Sequence, residues 1–300
     1  MGILKKPKFL ILAGAILLAV IALTAALIFS KPKTVGFFGL DRKSDEAIRL
    51  QAVLEDAGYT VYYGDTMDEL KNTHCKAWIV RTTSDIFAEK IFEVIGDKAI
   101  FIERKPALSQ PVRYVGGDME NAGNILAHLT SLLPLGGDSN EDGTVSCLLL
   151  TGYADWRTTQ WQKGLEEGAS STQLPIEILE AISCARTEEA AQQAVTEILS
   201  QYGRDIEVIL TSDEILAEGA AKAISARGWT QGEDFYLLST GYREKASEAL
   251  NNQQRSGMAY AWEDAYNDAL CSAVRDTIAG KSPKEYLHSY NLLNNSSPLQ

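Results

Sequence analysis

The sequence is poor in the residues that usually announce catalysis or metal binding. Four cysteines and three histidines occur in 300 residues. Cys75, Cys147, Cys184 and Cys271 lie far apart, and the last three stand beside apolar or small residues, which reads as buried free thiols rather than zinc ligands or a disulfide framework. His74, His128 and His288 fall on separate elements. There is no Ser-His-Asp order, metal-ligand spacing or phosphate loop, so the chain reads as a non-enzyme with no catalytic residue, cofactor or metal site. Basic charge is also scarce. With 28 Lys and Arg against 40 Asp and Glu, the net charge is −12, which argues against nucleic acid or an anionic membrane surface as the main partner of the folded part.

What is present is globular: 45% hydrophobic and 23% charged residues, in a length that suits two lobes. One stretch stands apart. After Lys5, Lys6 and Lys8, residues 9–29 (FLILAGAILLAVIALTAALIF) carry no charge. As a helix this run is about 31 Å long, enough to cross a bilayer core. The leading lysines predict a cytoplasmic N-terminus and an exported remainder. Residues 1–33 are therefore read as a membrane anchor or signal segment. The uncleaved anchor is preferred because the run is long and its small-residue cleavage site is diffuse; cleavage would leave a secreted or periplasmic protein.

From Thr34 onward, short apolar runs alternate with amphipathic segments, the pattern of βαβ units and parallel sheets. The clearest unit is Ile206–Gly228, IEVILTSDEILAEGAAKAISARG. Its opening is a strand buried on both faces, Asp213 stands at a helix N-cap position, and Ile215, Leu216, Gly219, Ala220, Ala223 and Ile224 recur at helical spacing. In an open parallel sheet, ligands are met just past the carboxyl ends of strands, where Thr211, Ser212 and Asp213 fall. Asp213 reads either as a cap alone or as a ligand contact.

Several segments in order resemble the type I periplasmic sugar-binding proteins of the ribose and galactose type. They are TVGFFGL at the start, Tyr114–Gly116 with Asp118 and Ala122-Gly123, Arg157-Thr158-Thr159 after VSCLLLTG, Thr211-Ser212-Asp213 with Gly219-Ala220, DFYLLST, and SGMAYAWEDAYNDALCSAV. The resemblance runs from Thr34 to the C-terminus. It implies an α/β fold of two Rossmann-like lobes with parallel sheets joined by a hinge, preceded here by one N-terminal transmembrane helix. The first lobe is expected over 34–143, completed by about 260–283, and the second over 144–259, completed by about 284–300. The connection Leu135–Thr144 is expected to precede the first hinge crossing.

The resemblance also implies a ligand site. Arg157 is the foremost contact, because a guanidinium donates two parallel hydrogen bonds to vicinal hydroxyls and keeps its charge when desolvated. Tyr153 and Trp156 flank it and suit stacking on a sugar face. Ser212, Asp213 and Thr240 complete the second-lobe side, Phe38, Asp41, Arg81 and Arg104 the first, and Glu263 stands at the cleft where the chain returns to the first lobe. Phe38 reads equally as core, Asp41 as solvated loop, and the two arginines as surface charges. Trp161 reads as core and Asp118 as a cap. Gly123 is expected to let its helix approach the sheet.

Two departures stand out. Only DTMDELKNTHCK separates the second and third strands, and Thr240 stands where the family has an aspartate. The resemblance implies capture of a sugar or related polyol for an ABC transporter permease, with no nucleic-acid partner. The alternatives are a membrane-tethered sensor that signals to a kinase, and a degenerate lobe pair that no longer binds sugar. The several arginines also admit an acidic or phosphorylated sugar.

Overall fold

A computed structural model describes residues 33–152, 155–242 and 256–294. The predicted span 9–29 and Tyr153 lie outside the described residues, and no described helix is long and apolar enough to cross a membrane.

The described residues form two six-stranded sheets. The first contains β1 (Lys33–Phe38), β2 (Tyr59–Gly64), β3 (Ala77–Val80), β4 (Ala99–Ile102), β5 (Arg113–Gly117) and β11 (Glu285–His288), in the order β11-β5-β4-β3-β1-β2. All its neighbours pair in parallel. The second contains β6 (Val145–Thr151), β7 (Ile176–Ser183), β8 (Val208–Thr211), β9 (Tyr236–Tyr242), β10 (Gly257–Ala261) and β12 (Asn291–Asn294), ordered β12-β10-β9-β8-β6-β7. It is parallel except for β12, which runs antiparallel to β10.

Each sheet is covered on both faces, which is why its central strands read as unbroken apolar runs rather than alternating ones. On the first sheet, α1 (Asp45–Asp56) and α8 (Glu263–Ile278) bury Leu50, Leu54, Tyr266 and Leu270 on one side. The short α2 (Met67–Asn72) and α3 (Asp85–Ile95) bury Leu70, Ala88 and Ile91 on the other, against Trp78 and Phe101. On the second sheet, α4 (Met119–Ser131) and α5 (Trp156–Ala169) enclose one core around Leu126, Trp161 and Leu210. The opposite face is covered by α6 (Glu188–Tyr202) and α7 (Glu214–Ala226).

These cores correct two expectations. Helix α4 was assigned to the first lobe, yet its Ala122, Leu126, Ala127 and Leu129 pack with Cys147, Leu149 and Leu238 of the second sheet. The chain therefore first crosses at Gly117-Asp118, well before Leu135–Thr144. The C-terminal segment also divides. β11 extends the first sheet beside β5, and only β12 extends the second. The physical cause of the α4 placement is a notch of small residues. A Cβ on Gly123 would lie 2.0 Å from the Trp161 carbonyl oxygen, and one on Gly164 would lie 1.8 Å from that of Glu120. Gly123 thus permits contact between α4 and α5, not between helix and sheet.

Caps fall where the sequence placed them. Asp118 Oδ1 accepts the Asn121 N–H at 3.0 Å, and Asp213 Oδ1 accepts that of Leu216 at 3.1 Å. The shortened second connection holds α2, closed by a capping box between Thr66 and Glu69. Cys75 and Cys147 are buried, and Cys184 and Cys271 are half-buried. Burial raises the Cys75 thiol to about 11.

Candidate functional site

Parallel strands deliver their carboxyl ends, and the first turns of the helices that follow, to one edge of each sheet. Here the two edges face a common cleft of about 700 Å³. From the first-lobe side come Asp45, Glu46 and Arg49 of α1, Glu103 after β4, Tyr114 and Gly116-Gly117 of β5, and Glu263 and Tyr266 of α8. Asp155, Arg157 and Thr158 at the start of α5, Arg186, Ser212 to Ile215, and Thr240 to Tyr242 come from the other side. His288 and Tyr290 line the cleft where the chain passes from β11 to β12.

Glycines shape the floor. A Cβ on Gly116 would meet the Tyr114 hydroxyl at 2.1 Å, and one on Gly117 would meet that of Tyr290 at 2.3 Å. The pair therefore leaves a flat strand end on which two tyrosine rings lie. His288 stands 5.6 Å from the rings of both Tyr266 and Tyr290 and stacks on Tyr242 at 6.4 Å. Its side chain is 5% exposed, and neither ring nitrogen has a hydrogen-bond partner of good geometry. Burial pulls its pKa down to about 4, against the weaker opposing pulls of Asp118 and the Gly116 backbone, so the ring is neutral at pH 7.

Tyr242 lines the cleft and is 38% exposed. Burial raises its hydroxyl to about 12; Arg49 opposes this, and Glu46, Glu214 and Glu263 add to it. Tyr266 is raised well above the ordinary tyrosine range, again chiefly by burial, with Glu46 and Glu103 contributing. An aromatic floor ringed by carboxylates results.

Each arginine of the cleft has a carboxylate. Arg157 donates from Nε and Nη2 to Asp155 Oδ2 at 3.1 and 2.8 Å. Burial works against its charge, but the bonds to Asp155 outweigh that and raise its pKa. Arg186 Nε donates to Asp213 Oδ2 at 2.9 Å, and Arg49 lies 3.8 Å from Glu263 while donating to Asn267. Behind the wall, Arg81 joins Glu46 to Glu103. Glu103 has a left-handed backbone, φ 60°, a conformation uncommon outside glycine, at the point where it reaches Arg81.

Of the residues singled out from sequence, Arg157, Ser212, Asp213, Thr240 and Glu263 line this cleft. Thr240 is nearly buried and accepts the Trp161 indole N–H at 3.2 Å, so its hydroxyl also serves the core. The others stand elsewhere. Trp156 meets the first lobe, edge-on to Tyr114 at 5.6 Å with the Lys105 ammonium 5.0 Å above its ring. Arg104 is held bidentate by Asp85 at 2.7 and 2.9 Å. Phe38 is buried against Phe87, and Asp41 braces its loop by accepting the Lys43 N–H.

Sequence reasoning missed Glu46, Arg49, Tyr114, Tyr242, Tyr266, His288 and Tyr290. The Gly116-Gly117 pair after Tyr114 was the available signal: consecutive glycines at a strand's carboxyl end leave room for rings.

No protein-family model matches the sequence, and no curated protein is significantly similar to it. Solved structures are similar. GanP, a glucose-galactose binding protein from Geobacillus stearothermophilus, superposes with a TM-score of 0.72 at 14% identity, over 90% of this chain and 100% of that one. An ABC transporter periplasmic solute-binding protein from Actinobacillus succinogenes with bound D-allose gives 0.68 at 16% identity, over 89% and 98%. The XylFII–LytSN complex contains a chain at 0.68 and 14% identity, over 89% and 99%. At such identities the likeness establishes the fold.

Proposed function

We propose that this chain, which has the type I periplasmic binding protein fold, is an extracytoplasmic solute-binding protein. It captures a small polyhydroxyl ligand, a sugar or cyclic polyol, between its lobes by hinge bending and presents it to an ABC importer, without chemical conversion. One observation carries the reading: the cleft that both sheets reach with their carboxyl edges combines an aromatic floor with hydrogen-bonding groups from both sides. That is the lining a sugar requires, since its faces are apolar and its edges are donors and acceptors. In this reading the run 9–29 tethers the protein to the outer side of the cell membrane.

The test is melting of the full chain, in mild detergent and followed by tryptophan fluorescence, with D-glucose, D-galactose, D-allose, myo-inositol, glucosamine and glucuronate. A ligand at about 100 times its Kd adds roughly 2.7 kcal/mol of stability. The expected result is a shift with at least one of them, lost in Arg157→Ala. The absence of a shift across neutral, amino and acidic sugars refutes the reading and supports the degenerate alternative. A second reading, a sensor that reports occupancy to a signalling protein, is favoured by the similarity to a chain solved in complex with another protein. Co-purification from the native membrane separates the two, according to whether a permease or a kinase is retained.

A further inference from the structure

The charge in the cleft is unevenly distributed. Toward the second lobe, Asp155 with Arg157 and Asp213 with Arg186 form balanced pairs. Toward the first, Asp45, Glu46, Glu103 and Glu263 meet only Arg49 and Arg81 among the described residues. Glu214, whose Oε1 accepts the Tyr242 N–H at 2.6 Å, holds that strand end from across the cleft. Among the described residues the surplus of negative charge thus lies around Tyr242 and Tyr266, whose ring faces are themselves negative. Tyr266 is buried with Arg49 5.8 Å over its ring, whereas Tyr242 is 38% exposed. Beside them the neutral ring of His288 is buried, packs against Tyr242 and adds no positive charge to this side of the cleft.

From these groups we infer that the ligand is a polyol bearing a cationic amine, such as an amino sugar or aminocyclitol, with its ammonium group seated against Tyr242 on the side of Asp45, Glu46 and Glu263. This rests on the solute-binding reading above and narrows its ligand class. An ammonium group donates three hydrogen bonds, which suits a site rich in acceptors, and it gains from both carboxylates and ring faces. A sugar acid or sugar phosphate would place a second anion where carboxylates are already in excess and each nearby arginine is already engaged. The acidic-sugar option left open by the sequence is therefore disfavoured on the same grounds.

The experiment is titration calorimetry on the full chain at low and moderate salt. Its probes are glucosamine and galactosamine, their neutral parents glucose and galactose, glucuronate and glucose 6-phosphate, and putrescine as an amine without hydroxyls. The expected result is an amino sugar binding about tenfold or more tighter than its parent, which corresponds to one extra charged contact, with the two anions weaker than the parent. Raising salt should shrink that preference, because the excess charge is partly solvent-screened. Glu263→Gln and Asp45→Asn should each reduce that preference, taken as the ratio of amino-sugar to parent affinity in the same variant, about threefold or more. A neutral sugar that binds as tightly as its amine, or an anion that binds tighter, overturns the inference and leaves the solute-binding reading standing. Putrescine binding as tightly as the amino sugars overturns the polyol part. If no probe binds, both the inference and the reading beneath it fall.

Discussion

Replacing His288 with phenylalanine removes a buried group that titrates in the acid range at the junction of the two sheets while keeping a ring between Tyr242, Tyr266 and Tyr290. In the unfolded chain this histidine takes a proton near pH 6.5; in the folded protein burial lowers that to about 4. Between those values the unfolded state binds more protons, so acid draws the equilibrium toward it. The neutral imidazole's contribution is complete above pH 6.5 and is lost as the pH falls toward 4. Integrated from pH 7.5 to 5.0, the loss from this residue is about 2 kcal/mol. Urea unfolding of the full chain at both pH values, for the parent and His288→Phe, isolates it, because carboxylate titrations are common to both proteins. The expected outcome is that the parent loses about 2 kcal/mol more than the variant over this interval, or roughly 4–8 °C in melting temperature. Equal losses would refute the reasoning and mean that the neighbouring rings accommodate the imidazolium by cation–π attraction as well as water does.

Two further predictions concern stability. Glu207 is fully buried and accepts hydrogen bonds from Ser139 N and Oγ, Asn140 N and Ser146 N at 2.6 to 3.1 Å, tying the 138–144 connection to the second sheet. Glu207→Ala should cost about 3 kcal/mol or more in urea unfolding and Glu207→Gln clearly less, since several donors would be stranded in the first case and some acceptor capacity kept in the second; a cost below about 1 kcal/mol for the alanine variant would contradict this account. Gly164→Ala drives a methyl group into the Glu120 carbonyl across the α4–α5 contact, and because the obstacle is backbone the expected cost is about 1–3 kcal/mol of overpacking. An unchanged melting temperature would show that the two helices are able to part without penalty.

Much of the local structure was legible because it is written in short-range chemistry. The apolar runs VSCLLLT and VILT became central strands, and Asp118, Asp213 and Thr187 cap the helices they precede, because each cap bonds an N–H only three residues away. That polar residues at strand ends would converge on a cleft also followed, since parallel βαβ units send those ends to one edge; Arg157, Ser212, Asp213, Thr240 and Glu263 are there. Placement in the cleft does not follow from polarity alone, as Arg81, Arg104 and Trp156 illustrate. Their partners Glu46, Asp85 and Lys105 lie 35, 19 and 51 positions away in sequence, and nothing local selects them.

What the sequence determined by itself was the alternation of strand and helix, the caps, and the direction in which the site would open, all consequences of hydrogen bonding and burial within a few turns of chain. Tertiary structure alone decided that α4 belongs to the second sheet, that the C-terminal segment divides between the sheets, and that tyrosines and His288 form the floor of the cleft. Those outcomes turn on close approach between distant segments: Gly123 and Gly164 bring α4 onto α5, and Gly116-Gly117 lets Tyr114 and Tyr290 lie flat. A missing side chain has no periodicity to read, and what it admits is set by whichever element arrives from elsewhere in the fold.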